Sequence, residues 1–325
     1  MERNKTTEKK NNPLYSETAY DDAFRTIEGR CDDLVIPFVN HMFKENYGTG
    51  AVIRRLRNEH YVEHQDGSED KRVTDSYFEI SFNDMVKRYH LECESQGYSG
   101  DILVRIFEYD SQIAKISAET SMYKTKVSFP NSGLLLLRSS ADAPSKAEIE
   151  MVMPDGKSMS YYVPIVKMSD FTVDDIFRDK LYMLIPFYIF NYENQLSEID
   201  KSKESIDRLM EIYNDIFERL EKEREKGNLS DLSYNVIIRL THSVAYKFTM
   251  KQDNVQRKVG DVMGGKVLDL PEFVLYDKGV ADGIDIGKIT ARFEDGMPVD
   301  KIAEKTSVSI EVVKSVLRDA GMLKE

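Results

Sequence analysis

The chain has 325 residues, 41% hydrophobic and 31% charged, with a formal net charge of −12. That composition excludes a disordered or fibrous chain and leaves room for one large domain or two smaller ones. The acidic excess excludes nucleic-acid binding by overall charge, so any phosphate contact needs a local basic rim.

Residues 1–12 are polar, of mixed charge and without an apolar core, so they are expected to be disordered rather than a leader. Residues 20–43 carry two helical stretches. Phe24 and Ile27 mark the first, and Leu34, Val35, Phe38, Val39, Met42 and Phe43 mark the second. The period then changes to alternation over 51–63, 72–81 and 87–94. Polar turns at 65–70 and at Asn83 and Asp84 separate them, which predicts an antiparallel meander. Helical spacing returns over 101–117 through Ile102, Ile106, Tyr109, Ile113 and Ile116. Segments 126–129 and 133–138 read as a buried strand region. Segments 147–153 and 159–166 flank the turn signal Pro154, Asp155, Gly156.

From Thr172 onward the pattern is mostly helical. The apolar run 181–190 is too short for a membrane span and contains Pro186. Residues 196–226 read as one long amphipathic helix ending at Gly227, and 232–248 as another. The apolar stripe of 196–226 serves either core packing or pairing with a second copy. Residues 252–287 look Gly-rich and irregular. Two short helices at 299–305 and 310–320, joined by a turn at 306–309, form a helix-turn-helix pattern. With Cys31 and Cys93 as the sole cysteines there is no disulfide framework, and a reducing cytoplasm is expected.

Chemistry concentrates on the strand 89–94. Alternation sends Tyr89, Leu91 and Cys93 to the core and His90, Glu92 and Glu94 to the opposite face. Asp75 sits on the preceding strand among residues expected to be buried. A short turn joins the two strands, so Asp75 and Glu92 can meet. Clustered carboxylates repel unless a cation lies between them, and hard oxygen donors suit Mg2+ or Mn2+. The plainer alternative is a solvated outer strand face.

Two decoys fall short of their motifs. HYVEH (60–64) has the zinc-protease spacing without a helix to carry it. GDVMGGKV (260–267) has Val267 in place of the Mg2+-binding hydroxyl, and reads as a connector.

Four segments occur in order: YDDAFR (20–25), RVTDS (72–76), YHLECES (89–95) and RIFEYD (105–110). Together they resemble the PD-(D/E)xK nuclease family transposases, relatives of the recombination-promoting nucleases. The resemblance implies an α/β, restriction-endonuclease-like mixed sheet flanked by helices, with a mainly helical C-terminal region ending in a helix-turn-helix. It divides the chain into a disordered 1–14, a nuclease-like core 15–195, a helical region 196–251, a connector 252–287 and the helix-turn-helix 288–325. It implies Mg2+-dependent cleavage of DNA. No membrane partner is expected from the composition, and a homodimer through the long helix, one of the two uses of its stripe, would suit an enzyme that cuts two strands. By the same resemblance Asp75 matches the metal-binding Asp, and Glu92 the acid of the (D/E)xK strand. Asp21 or its neighbour Asp22 matches the acid of the first helix, with Arg25 as its basic companion. Glu94 departs from the pattern, since the superfamily has Lys there and this branch Gln. Glu94 is then a ligand, a base or a lesion, and Lys71, Lys87 or a residue of the Arg105 helix is the candidate source of the missing positive charge. The alternative is a weakened remnant that binds DNA or self-assembles.

Overall fold

The computed structural model describes residues 19–56, 59–63, 69–73, 75–139, 143–263, 289, 292–293, 297–306, 309–319 and 322–323. The chain divides into two compact units, one spanning Thr18–Val267, the other Leu268–Glu325 with Met1–Glu17.

The larger unit is mixed α/β. Helices α1 (Ala19–Arg30) and α2 (Asp32–Phe43) come first. Then come β1 (Val52–Arg55), β2 (Glu59–Glu63), β3 (Glu69–Val73), β4 (Ser76–Phe82) and β5 (Met85–Glu94). Helix α3 (Asp101–Ile116) leads to β6 (Glu119–Ser121), β7 (Lys124–Lys126), β8 (Asn131–Leu136), β9 (Lys146–Val152) and β10 (Ser158–Lys167). Among the described residues the strands form one six-stranded sheet in the order β1-β4-β5-β8-β10-β9 and two hairpins, β2-β3 and β6-β7. The pairs β5-β8 and β8-β10 are parallel, and the outer pairs are antiparallel. The expected meander is met in part: β1, β4 and β5 pair antiparallel, but the segment 51–63 divides into β1 and β2, and β2 pairs with β3 in a separate hairpin. The turn at 154–156 joins β9 to β10.

Helices cover both faces of the sheet. Ile102 and Ile106 of α3 pack with Leu134, Leu136, Val163 and Ile165 on one face. On the other, Gly133 lets α2 approach closely. A Cβ at Gly133 would stand 2.2 Å from Met42 Sδ and 2.9 Å from Phe43 Cζ, so only glycine fits.

The C-terminal half of this unit comprises α4 (Val173–Arg178), a 3-10 helix (Tyr182–Gln195), α5 (Leu196–Ile199), α6 (Lys203–Glu225), α7 (Asp231–Phe248) and α8 (Asp253–Met263). The apolar run expected to be too short for a membrane is the buried 3-10 helix, packed against α7. Among the described residues no helix is long and apolar enough to cross a membrane.

Three expectations are corrected. The helix 196–226 is broken after Ile199, because Ser202 caps α6 while the Asp200 side chain accepts from Asn254 N and Val255 N at the start of α8 (2.9 Å each). The region 252–287 begins with a regular helix up to Met263; most of the remainder lies outside the described residues. Residues 126–129 are not a buried strand, since Lys124, Thr125 and Lys126 form an exposed hairpin arm whose polar side chains cannot enter the core. Helix α7 packs on both α1 and the 3-10 helix, within the one compact unit Thr18–Val267. Helix α6 does end at Gly227, whose positive φ suits a residue without Cβ.

In the second unit α9 (Val299–Thr306) and α10 (Ile310–Asp319) share a small core of Ile289, Ile302, Ala303, Val313 and Leu317.

Candidate active site

Register brings Asp75 to Glu92. The β4-β5 turn has two residues, Asn83 and Asp84, both at positive φ, the left-handed pair that a tight hairpin needs. This turn sets Phe82 opposite Met85 and Ser76 opposite Leu91, so the next residue out, Asp75, faces Glu92. Asp75 N donates to Glu92 Oε1 at 3.2 Å, Cys93 N donates to Asp75 Oδ2 at 3.0 Å, and Arg25 Nη2 donates to Asp75 Oδ1 at 2.9 Å. Both acids are buried, at 8% and 3% exposure. The alternation expected for β5 holds: Tyr89, Leu91 and Cys93 belong to the core, while His90, Glu92 and Glu94 bond to α3.

Other expected residues join from two helices. Asp21 and Arg25 lie four apart on α1 and so share a face. Asp22 is their neighbour on the same turn, and its carbonyl accepts from Thr26 Oγ1 at 2.6 Å. Among the expected sources of positive charge, Arg105 of α3 lies beside Glu94 and Glu92. Its Nη2 donates to Glu94 Oε2 at 3.1 Å and its Nε lies 3.4 Å from Glu92 Oε2. Lys87 is instead bonded to Glu45 at 2.6 Å near the opposite end of β5, and the Lys71 side chain lies outside the described residues. Glu94 Oε1 also accepts from Gln96 N at 2.7 Å. His60 falls on β2, but its side chain and His64 lie outside the described residues.

The electrostatics record the crowding. Burial raises the Asp75 carboxyl above its ordinary range and the charge of Glu92 raises it further, against the Cys93 N–H and Arg25. Burial likewise raises Asp21. Arg25 opposes this, while Asp22, Glu94 and Glu92 add to it. The Cys93 thiol is pushed well up by burial, and then by the charges of Asp75, Asp21, Glu94 and Glu92, so all four act on one small region.

Sequence reading missed the support beneath Glu92. His90 is fully buried, with Nδ1 2.8 Å from Asp110 Oδ1 and Nε2 3.0 Å from Glu92 Oε1. Burial alone would lower the imidazole, but hydrogen bonds to Asp110 and Glu92 and the charges of both raise it to about 9. Asp110 also accepts from Ser132 Oγ at 2.6 Å and from Tyr161 OH at 2.8 Å. The available signal was a charge on an apolar stripe, since Asp110 lies on the buried face of α3 between Ile106 and Ile113.

The donor set consists of carboxylate oxygens, which suit a hard divalent ion. Its acids outnumber Arg25 and Arg105, and burial and mutual repulsion already favour protonation of Asp75 and Asp21, which a cation would relieve. The chemistry therefore fits. Among the described residues, however, no group of three or more His, Cys, Asp or Glu side chains is set around a common cation position. Guanidinium groups engage Asp75 Oδ1, Glu92 Oε2 and Glu94 Oε2 instead.

Fold and site together define a mixed α/β protein with a buried acidic centre at the C-terminal end of β5. No protein-family model, curated protein or solved structure matches the chain.

Proposed function

We propose that the protein is a metal-dependent DNA endonuclease of the mobile-element class, with a restriction-endonuclease-like core and a C-terminal helix-turn-helix. The observation that carries this reading is the meeting of Asp75 and Glu92 across β4 and β5, with Asp21 and Glu94 close enough for their charges to act on the same region.

Asp75 and Glu92 would hold Mg2+ or Mn2+, with Asp21 completing the shell. Such an ion supplies an acidic water for attack and charge stabilisation at a phosphodiester. The chain's own groups do the rest. Arg25 orients Asp75 through Oδ1. Arg105, partly exposed, offers a cation to a phosphate oxygen at the rim of an otherwise acidic chain. Glu94, the next residue on the same face of β5 as Glu92, would sit beside the attacking water. DNA is the partner; the apolar stripe of α6, from Ile206 to Leu220, is buried within the chain's own core, so it is not what would join two copies. Buried free Cys31 and Cys93 suit the cytoplasm.

Nicking of supercoiled plasmid tests the proposal. It should require Mg2+ or Mn2+ and disappear in Asp75→Ala and Glu92→Ala. Cleavage that survives either substitution sinks it.

A second reading, a weakened remnant that retains DNA binding, is favoured by Arg105. Its guanidinium bridges Glu92 and Glu94, so a divalent ion must compete with a resident cation. Glu94→Gln separates the two. Raised cleavage marks decay, and abolished cleavage marks Glu94 as recruited.

A further inference from the structure

We infer that His90, anchored by Asp110, is the positioning residue that aims Glu92 into the acidic centre. This deepens the nuclease reading and rests on it.

The geometry forms a continuous chain. Asp110 has no exposed surface and is held from three adjacent strands: by His90 on β5, Ser132 on β8 and Tyr161 on β10. Parallel pairing of β5 with β8 puts Ser132 directly beside His90. Tyr109 meets the imidazole edge-on, with ring centroids 5.7 Å apart. With both nitrogens bonded to carboxylates and its flank packed, the ring cannot turn. Its Nε2 and Asp75 N both meet Glu92 Oε1. Glu92 Oε2 is therefore the oxygen left toward Arg105 and the site. Buried charged networks are seldom needed for stability, because apolar groups of the same volume often serve as well. Histidine bridging one carboxylate to another does what an apolar residue cannot: it fixes which Glu92 oxygen faces outward. Outer partners of this kind typically govern metal affinity by about 10- to 100-fold.

Asn and Gln at position 90 dissect the two arms. Asn places an amide near the Nδ1 position and keeps the bond to Asp110. Gln places one near the Nε2 position and keeps the bond to Glu92. Both put a neutral amide in the same buried space, so a merely structural role predicts equal effects. The full chain is titrated with Mn2+ by electron paramagnetic resonance, with thermal unfolding as the check on folding. His90→Asn should weaken Mn2+ about 10- to 100-fold, while His90→Gln should stay within about threefold of wild type. Tyr161→Phe, which loosens Asp110 from the half-buried side, should weaken it about threefold.

Equal affinities in His90→Asn and His90→Gln, lowered or unchanged, overturn the inference while leaving the nuclease reading intact. Should His90→Asn fail to fold, unchanged affinity in Tyr161→Phe overturns it instead. If folded wild-type protein binds no Mn2+, the nuclease reading falls and this inference falls with it.

Discussion

The two ends of strand β5 treat charge in opposite ways. At its start, Lys87 pairs with Glu45 at 2.6 Å, and Arg88 lies 3.8 Å from Glu79, which Arg54 also contacts at 2.7 Å. Cations there match or exceed acids, and the basic partners are well exposed. At its finish, Asp21, Asp75, Glu92 and Glu94 share Arg25 and Arg105, and the acids push one another toward protonation. The first arrangement is what stability alone produces, since exposed pairs contribute only about 0–1 kcal/mol each and are easily satisfied. The second is held against its own repulsion by the surrounding fold, which is typical of a site kept for chemistry.

The largest way to break this contrast is through cleavage. Asp75→Asn should lower the rate by roughly a thousandfold, as expected for several kcal/mol of lost charge stabilisation. Glu45→Gln at the other end should leave it unchanged. A plasmid-nicking time course compares the two, and equal losses would erase the distinction.

Burial of an acid outside the cluster should next appear as a pH dependence of stability. Glu28, further along α1, is almost wholly buried beside Arg55, and its Oε1 has no hydrogen-bond partner. Burial pushes its carboxyl up to about 7, against the pull of Arg55. The folded chain therefore keeps a proton that the unfolded chain releases near 4.5, and stability falls as pH rises between those values. The full loss is on the order of 3 kcal/mol. Glu28→Gln should flatten that slope in urea melts from pH 4 to 8, and an undiminished slope would assign the effect elsewhere.

The smallest effects should carry opposite signs at the two ends. Asp21→Asn removes a repelled acid and should raise stability by about 0.5 kcal/mol, while Glu45→Gln removes a matched one and should lower it by about as much. Chemical denaturation resolves both signs, and a loss in Asp21→Asn would mean that Arg25 already compensates the cluster.

Much of the site was legible before any coordinates. Strand alternation alone put His90, Glu92 and Glu94 on one face, because successive side chains must oppose. The turn residues Asn83 and Asp84 brought Asp75 and Glu92 within reach of one another, while the register that makes them face came with the structure. The break after Ile199 was hidden, because continuous helical spacing does not reveal that Asp200 caps a helix more than fifty residues later. Residues 126–129 were read as a buried strand because Val127 and Phe129 are apolar, and single apolar residues do not show which side of the chain is wet.

By itself, then, the amino-acid order determined the pleat and the turn, consequences of local backbone geometry that put Asp75 and Glu92 within reach of one another. Only the tertiary structure decided that Arg105 rather than Lys87 neutralises Glu94, and that His90 leans on Asp110. Those choices depend on where α3 crosses the sheet, and that crossing is set by packing among residues far apart in the chain.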